Sequence, residues 1–399
     1  MGSERPQVLN SSSCDVAVIG GGPSGLIAAR DLAAAGFHAI VLEEHDRIGA
    51  PVHCTGVLGF DAFDELELPR SSILNVLHAA RFVGADGTGV VVEAEHVRAA
   101  VVDRARFDDS LASEAAEAGA GIVLGCRVVR IDPRPEHVLV HTDCGELRAR
   151  SVIIACGASY RFNRALGFGF PRVLAHSAQL EVPFPQMQHV EVHFGHRFAR
   201  GGFAWVVPFS RGADTFARVG VLCDKDAGPS FEAFSERVRQ MNRDAIADRP
   251  WPSPRLRVLP LAPVSHTVAD RILVVGDAAG LVKPTTGGGI YYGLLTGRLA
   301  SEVLAECLAS DSLGARRLSA YDRRWRQRLG SEIRAGLAFR AVAARLPDRA
   351  IDALIDIARA DGIIPLLKQT ADFNWHGAAA RSILRHPAFR RAVMGVLWT

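Results

Sequence analysis

Along the chain, apolar positions fall into three patterns, and each predicts a different kind of element. The first is the short unbroken run: Val16–Ile19, Ala39–Leu42, the stretch SVIIACGAS at 151–159, and Ile272–Val275. Unalternating runs of this length suit strands of a parallel sheet that is covered on both faces. Two are joined by a helical pattern, with Ala28, Ala29 and Leu32 on one face and Gly36 as its stop. A second helical face, Phe107, Leu111 and Ala115, ends at Gly119, and strands are expected at 121–132 and 137–141. The second pattern is alternation. HVEVHFG and FARVGVLC, between about 172 and 260, read as half-exposed antiparallel strands. The third begins near residue 315, where the chain turns helical and arginine-rich. These patterns predict an α/β protein (α+β by insertion). A doubly wound parallel sheet is assembled from 14–170 and 261–312, an antiparallel sheet at 171–260 is inserted into it, and 313–399 form a helical C-terminal region.

Composition narrows the function classes. The 399 residues are 48% hydrophobic, ample for a core, and the net charge of +3 gives no reason to expect nucleic acid as a partner. Seven cysteines form no CxxC pair and no metal-ligand spacing, so neither a metal nor a disulfide framework is expected. The N-terminus has no apolar signal region and no uncharged run reaches membrane-spanning length, which predicts a cytoplasmic protein. The tail leaves peripheral membrane contact open. Arg316, Arg317, Arg323, Arg324, Arg326 and Arg328 cluster there. Apolar patches follow at Ile351, Leu354, Ile355, Ile363, Ile364, Leu366 and Leu367, then arginines 381, 385, 390 and 391 flank Ile383, Leu384, Phe389 and Val393. A solvated face over a core explains the same pattern and is slightly favoured.

The chemistry-bearing motifs sit at strand ends. Gly20, Gly22 and Gly25 form G-x-G-x-x-G between the first strand and its helix, and Glu43 closes the second strand 18 residues beyond Gly25. Strand, glycine turn, helix, second strand and acid together predict a dinucleotide-binding βαβ unit: the glycines let a diphosphate approach the helix N-terminus, and the acid accepts from ribose hydroxyls. Asp277 stands at the end of another parallel-type strand. Beyond it Gly287, Gly288 and Gly289 strip the start of a helix of side chains. A carboxylate that takes a sugar-alcohol hydroxyl, followed by bare helical N–H groups, fits a flavin with its ribityl chain.

Taken together, G-x-G-x-x-G with Glu43, V-D-R-x-x-F-D at 102–108 and G-D at 276–277 resemble the p-hydroxybenzoate hydroxylase superfamily of FAD enzymes. Within it the chain looks most like the geranylgeranyl reductases. I-G-A-P-V-H-C-T-G at 48–56 is similar to that family's segment with a cysteine beside the flavin. G-G-F-A-W-V-V-P at 201–208 and K-P-T-T-G-G-G-I-Y-Y at 283–292 are similar to its substrate and flavin-loop motifs. The resemblance covers roughly residues 14–310. It implies FAD, with Ser24 and Glu43 on its phosphate and ribose and Arg104 near the pyrophosphate. It further implies Val128 at the adenine, Cys54 and Thr55 along the flavin, Asp277 on the ribityl chain, and Gly288, Gly289 and Ile290 at the ring. Phe203, Trp205, Pro208, Tyr291 and Tyr292 become candidate walls for a hydrophobic substrate, and Cys54 a candidate proton donor. Phe203, Arg200 and Val207 replace the family's Tyr, Pro and Phe, Lys283 its Asn, and Cys156 the superfamily's Asp.

The expected activity is saturation of C=C bonds in a prenyl or other long apolar chain, with electrons from NAD(P)H or a reduced carrier. An aromatic hydroxylase or a halogenase is the alternative. Against the first, Gly289 is followed by Ile290, Tyr291 and Tyr292, with neither Asn nor Asp. Against the second, no lysine precedes Lys225.

Overall fold

The computed structural model describes residues 9–52, 54–93, 98–242, 251–360, 372–387 and 389–390. Its first sheet has eight strands. Five are parallel: β8 (Gly121–Val123), β2 (Ala39–Leu42), β1 (Leu9–Ile19), β11 (Gly145–Ile154) and β18 (Ile272–Val274), adjacent in that order. Strands β9 (Val128–Pro133) and β10 (Val138–Thr142) add an antiparallel meander to β11, and β17 (Val268–Ala269) borders β18. Helix α1 (Pro23–Ala34) links β1 to β2. Helix α3 (Arg104–Glu117), capped by Asp103 accepting from Arg106 N–H at 3.2 Å, precedes β8. Helix α7 (Ile290–Ala309) packs across α1. The β1–α1 turn works because its glycines permit close approach. A Cβ on Gly20 (φ 108°) would lie 2.5 Å from Ala155 O, and one on Gly25 would collide with Gly20 O.

The second sheet has seven strands in the order β16 (Arg255–Pro260), β12 (Leu174–Pro183), β15 (Asp214–Cys223), β14 (Phe203–Arg211), β13 (Val190–His193), β5 (Ala79–Val83) and β6 (Gly89–Glu93). Two expectations need correcting here. The sheet is not a single insertion at 171–260, because β5 and β6 come from 79–93 and join through parallel pairing of β13 with β5. That pairing bridges over a hundred residues of sequence and leaves no local trace. Nor are all its strands half-exposed: β13, β12 and β16 keep exposed or partly exposed positions, but β14 and β15 are buried on both faces along most of their length. Helices α5 (His196–Ala199) and α6 (Ala227–Met241) cover the outer face, with Phe231 and Phe234 packed on Val206, Val219 and Val221. The inner face carries Trp205, Val207 and Leu222.

A three-stranded sheet of β3 (Val57–Gly59), β7 (Ala99–Val102) and β4 (Ile73–Leu77) bridges the two larger ones. Arg218 of β15 fastens this junction. Its side chain is 2% exposed, its Nη1 donates to Thr55 O (2.6 Å) and Val102 O (2.9 Å), and its Nε donates to Glu181 (3.3 Å). Short helices α2 (Asp61–Glu65) and α4 (Arg161–Ala165) fill corners. Among the described residues, the C-terminal helices are α8 (Ala315–Ala343), α9 (Asp348–Ala360) and α10 (Gly377–Arg385).

Several tail arginines are paired within the molecule. Arg324 meets Glu302 and Glu306, Arg326 meets Asp322, and Arg328 meets Glu65. Ile363, Ile364, Leu366, Leu367, Arg391 and Val393, with the side chain of Leu384, lie outside the described residues. No helix among the described residues is long and apolar enough to cross a membrane.

Candidate active site: a nucleotide cradle opening into an apolar chamber

The parallel strands all end at one edge, where open α/β sheets bind ligands. The N-terminus of α1 lies there, capped by Gly22, where an added Cβ would meet nothing within 4 Å. Free N–H groups therefore face open space, as an anion site requires. Glu43 is held in place from two sides: Oε2 accepts from Gly21 N–H at 2.7 Å, and Oε1 from His45 N–H at 3.0 Å. Val128 lines the same space, as does Arg104, whose guanidinium grips Asp108 through two bonds of 3.0 and 2.8 Å. Burial works against the charge of Arg104, but the Asp108 carboxylate, helped by Cys54, raises its pKa above the ordinary value. Ser24 borders the space as well, yet its Oγ is wedged at the α1–α7 crossing, where a Cβ on Gly276 would lie 2.5 Å from it.

Asp277 follows β18 in a 3₁₀ turn (Gly276–Ala279). It retains some accessible surface because it faces the cavity, yet it lies deep in the molecule, and burial pushes its carboxyl up to about 6 against the pull of Arg104. Gly289, the N-cap of α7, leaves room for this carboxylate: a Cβ there would sit 2.5 Å from Asp277 Oδ1. A buried carboxylate, a helix start without side chains, the open α1 N-terminus and an anchored Glu43 fit the ribityl, ring, diphosphate and ribose parts of FAD. Cys54 is half-buried beside them, its Sγ accepting from Gly56 N–H at 3.4 Å, and the Thr55 hydroxyl donates to Gln179 of β12.

Sequence reasoning missed one side of the site, the segment 372–376. Lys283 is 5% exposed, and its Nζ donates to Phe373 O (2.6 Å) and Asn374 Oδ1 (3.3 Å) while lying over the Phe373 ring. Burial lowers its pKa to about 7, although Asp372 and Asp61 oppose the shift. His376 is pushed down to about 3 by burial and by Lys283. The neutral ring then donates from Nε2 to Phe373 O (2.9 Å) and accepts from the Thr285 hydroxyl at Nδ1 (2.5 Å). The C-terminal region is thus tied to the loop preceding α7. The single lysine in K-P-T-T-G-G-G was the only signal in the sequence, and its partner lies about ninety residues away.

All of this opens into one cavity of about 1920 Å³. Binding pockets for single small ligands run to about 1,000 Å³, so this volume holds a cofactor and a second molecule. Gly20, Gly22, Ser24, Glu43, Cys54, Thr55, Arg104, Val128, Asp277, Gly288, Gly289 and Ile290 all border it, as do Phe203 and Trp205. Gly25 is buried in the turn behind. Three expected wall residues are elsewhere. Pro208 faces away, within β14. Tyr291 and Tyr292 are each 1% exposed and pack on Trp375, with Tyr291 donating to Glu65 at 2.6 Å. Both tyrosines belong to the first turn of α7, and that turn directs them into the core. The far end of the cavity is walled by Phe82, Val90 and Val92 of the second sheet, and by Ile351, Leu354 and Ile355 of α9.

Cys126, Asp143 and Cys144, distant from one another in part of the sequence, come within 4.8 Å. Asp143 already accepts from Arg127 N–H at 2.8 Å, and burial, with Cys126 and Asp143 nearby, pushes the Cys144 thiol up to about 12. That disfavours the thiolate a metal would need.

A family model described as "Lycopene cyclase protein" matches residues 15–346. Digeranylgeranylglycerophospholipid reductase 2 of Methanothermobacter thermautotrophicus is 33% identical over 354 residues, 86% of this chain and 90% of its own. The digeranylgeranylglycerophospholipid reductase of Methanosphaerula palustris is 30% identical over 336 residues, 78% and 81% of the two chains. Among solved structures, a geranylgeranyl bacteriochlorophyll reductase-like protein of Thermoplasma acidophilum superposes with a TM-score of 0.84 at 22% identity, covering 97% of this chain and 99% of that one. A flavin-dependent brominase superposes with a TM-score of 0.69 at 17% identity, covering 97% and 100%. At those identities the structural likenesses establish the fold.

Proposed function

The chain belongs to the geranylgeranyl reductase family of FAD-dependent oxidoreductases, and on that premise we propose that it saturates isolated C=C bonds in the prenyl chain of a lipid. The reading is carried by one observation: a single cavity runs from the nucleotide cradle to a chamber walled by apolar side chains of the second sheet and α9. FAD, when bound, supplies the hydride. The α1 N-terminus with Gly22 would hold its diphosphate, Glu43 its ribose, Asp277 a ribityl hydroxyl, and Gly288, Gly289 and Ile290 the ring edge.

An isolated alkene has no polar handle, so its position depends on shape and buried apolar area. Phe203, Trp205 and Val207 form the wall nearest the cradle and exclude water from it. Saturation needs a proton at the second carbon as well as hydride at the first. Cys54 borders the cavity beside Thr55 and Arg104 and is the residue assigned to deliver that proton. Two electrons must then return to the cofactor from NAD(P)H or a reduced carrier.

The test is a single turnover without oxygen. Protein reduced by dithionite under argon should convert a geranylgeranyl lipid to products heavier by two hydrogens per bond, read by mass spectrometry. Cys54→Ala should keep FAD and slow that turnover about a hundredfold. Oxygen-dependent formation of a product heavier by one oxygen atom, or of a halogenated one, would instead establish the hydroxylase or halogenase alternative.

A further inference from the structure

Among the described residues, three lysine or arginine side chains are buried: Arg218, Lys283 and Arg340. Arg218 is paired with Glu181 and Arg340 with Asp224, whereas Lys283 meets no carboxylate among the described residues. Its contacts are all neutral: Phe373 O, Asn374 Oδ1 and the face of the Phe373 ring, 4.6 Å from Nζ. The two carboxylates near enough to act on its charge are engaged elsewhere. Asp372 accepts from the N–H groups of Asn374 (2.7 Å) and Trp375 (3.1 Å), and Asp61 accepts from Asn374 Nδ2 at 2.6 Å. His376 is neutral and adds no charge. Holding 372–376 in place does not require an ammonium, because a neutral amide can donate to Phe373 O as well, and a buried unpaired charge is costly. The lysine stem lies against the triple-glycine loop. Lys283 N–H donates to Gly288 O at 3.1 Å, Lys283 O accepts from Gly287 N–H at 2.8 Å, and a Cβ on Gly288 would lie 3.6 Å from Lys283 Cδ. The charged nitrogen is two bonds beyond that carbon, and Lys283, Gly288 and Gly289 all border the cavity.

We propose that the Lys283 ammonium is a positioning charge for the cofactor: set behind the triple-glycine loop, it makes the cavity hold reduced FAD more tightly than oxidised FAD. The proposal rests on the FAD reductase reading of the site and names the residue that sets its electron affinity. Two-electron reduction leaves negative charge on the N1–C2=O edge of the ring, while the oxidised ring is neutral there. The bare start of α7 turns its N–H groups toward that edge, and a cation behind the loop acts with the same sign. The charge is buried, so protein rather than water lies between it and the loop, and screening is weak. An electron-rich ring offsets the cost of the unpaired ammonium, and an oxidised ring does not. The consequence is a higher midpoint potential, which lets the cofactor take electrons from a weaker donor. Lys283 replaces the Asn of the motif that K-P-T-T-G-G-G-I-Y-Y resembles, so this charge is particular to this chain.

The experiment uses the full chain loaded with FAD, below pH 7, where Lys283 carries its charge. Lys283→Gln keeps a donor for Phe373 O and removes the charge, and Lys283→Arg keeps both. Thr285→Val breaks the tie to His376 without altering a charge. One readout is the midpoint potential of the bound FAD, from equilibration with a redox dye under argon. The other is sulfite affinity, read as loss of the yellow absorbance. Sulfite bonds to N5 of the oxidised ring through its own electron pair and places negative charge on the same N1–C2=O edge, so it reports the field without any electron donor. In Lys283→Gln, sulfite affinity should fall about tenfold. The preference for reduced over oxidised FAD should fall by about the same factor, which is a midpoint potential about 30 mV lower. Lys283→Arg should recover most of both, and Thr285→Val should match the wild type. The wild-type protein alone should hold its FAD at a potential above that of free FAD. Unchanged readouts in Lys283→Gln, or equal losses in the Gln and Arg variants or in the Gln and Val variants, would reduce Lys283 to a structural tie. A wild-type potential no higher than that of free FAD would overturn the proposal even if Lys283→Gln fails to fold. If the shifts are found but no lipid gains hydrogen, the Lys283 assignment stands and the reductase reading falls. If lipid is reduced while the readouts ignore Lys283, the reductase reading survives.

Discussion

At the scale of single residues, the informative groups are buried ionisable ones whose surroundings do not suit their charge. Asp277 has a carboxyl raised to about 6 by burial. Its folded-state pKa lies above the unfolded value of about 4, so between those pH values the folded apoprotein binds more protons than the unfolded chain. Stability from this group therefore falls as pH rises from about 4 to about 6, and above that the penalty is fully present, on the order of 3 kcal/mol. A ribityl hydroxyl donating to the carboxylate offsets it. Asp277→Asn should remove this pH dependence and raise the apoprotein's melting temperature at pH 7. The same change should weaken FAD retention by about 1–3 kcal/mol in a flavin fluorescence titration. A variant with both properties unchanged would mean that the carboxylate does not meet the cofactor. Lys283 titrates in a separate window. Its pKa is lowered to about 7, so its penalty is present below 7 and is relieved as pH rises toward the unfolded value of about 10.4.

At the scale of elements, two glycines three residues apart at the start of α1 have different duties. Gly25 packs against the backbone of Gly20, so Gly25→Ala should destabilise the apoprotein by about 1–3 kcal/mol through overpacking. Gly22 faces open space with φ −81°, which any residue adopts. Gly22→Ala should therefore leave the apoprotein's denaturation midpoint unchanged while FAD affinity drops tenfold or more, because the methyl group occupies the volume reserved for the diphosphate. Chemical denaturation and flavin titration of both variants separate the two roles. A Gly22→Ala protein with normal FAD affinity would place the diphosphate elsewhere.

At the scale of the whole molecule, the cavity joins a cradle built from one sheet to a chamber built from another and from the C-terminal helices. Chain-length dependence should reside in the chamber and cofactor retention in the cradle. Ala358, buried on α9 against Val90 and Ile355, is the place to separate them. Ala358→Trp should shorten the chamber without reaching the cradle. Lipids with four isoprene units should lose tenfold or more in affinity, since each excluded methylene forfeits about 0.8 kcal/mol at most, and lipids with two units should bind as before with FAD retained. Equal loss for short and long lipids would show that the chamber does not receive the chain end.

The sequence by itself determined whatever depends on neighbours in the chain. The β1–α1–β2 unit with Glu43, the capped helix that carries Arg104, and the Gly-Asp and triple-glycine segments around Asp277 are local arrangements. Their glycine spacing, strand length and capping residues were therefore legible. What the tertiary structure decided is whatever depends on partners far apart in sequence. Only folding recruits 79–93 into the second sheet, brings 372–376 onto Lys283, and aligns Arg257 with Phe203 across four strands. Tyr291 and Tyr292 mark the boundary between the two. Their composition suited an apolar wall, but which way a side chain points on the first turn of α7 follows from how that helix packs on α1 and Trp375, and no periodicity in the chain encodes that packing.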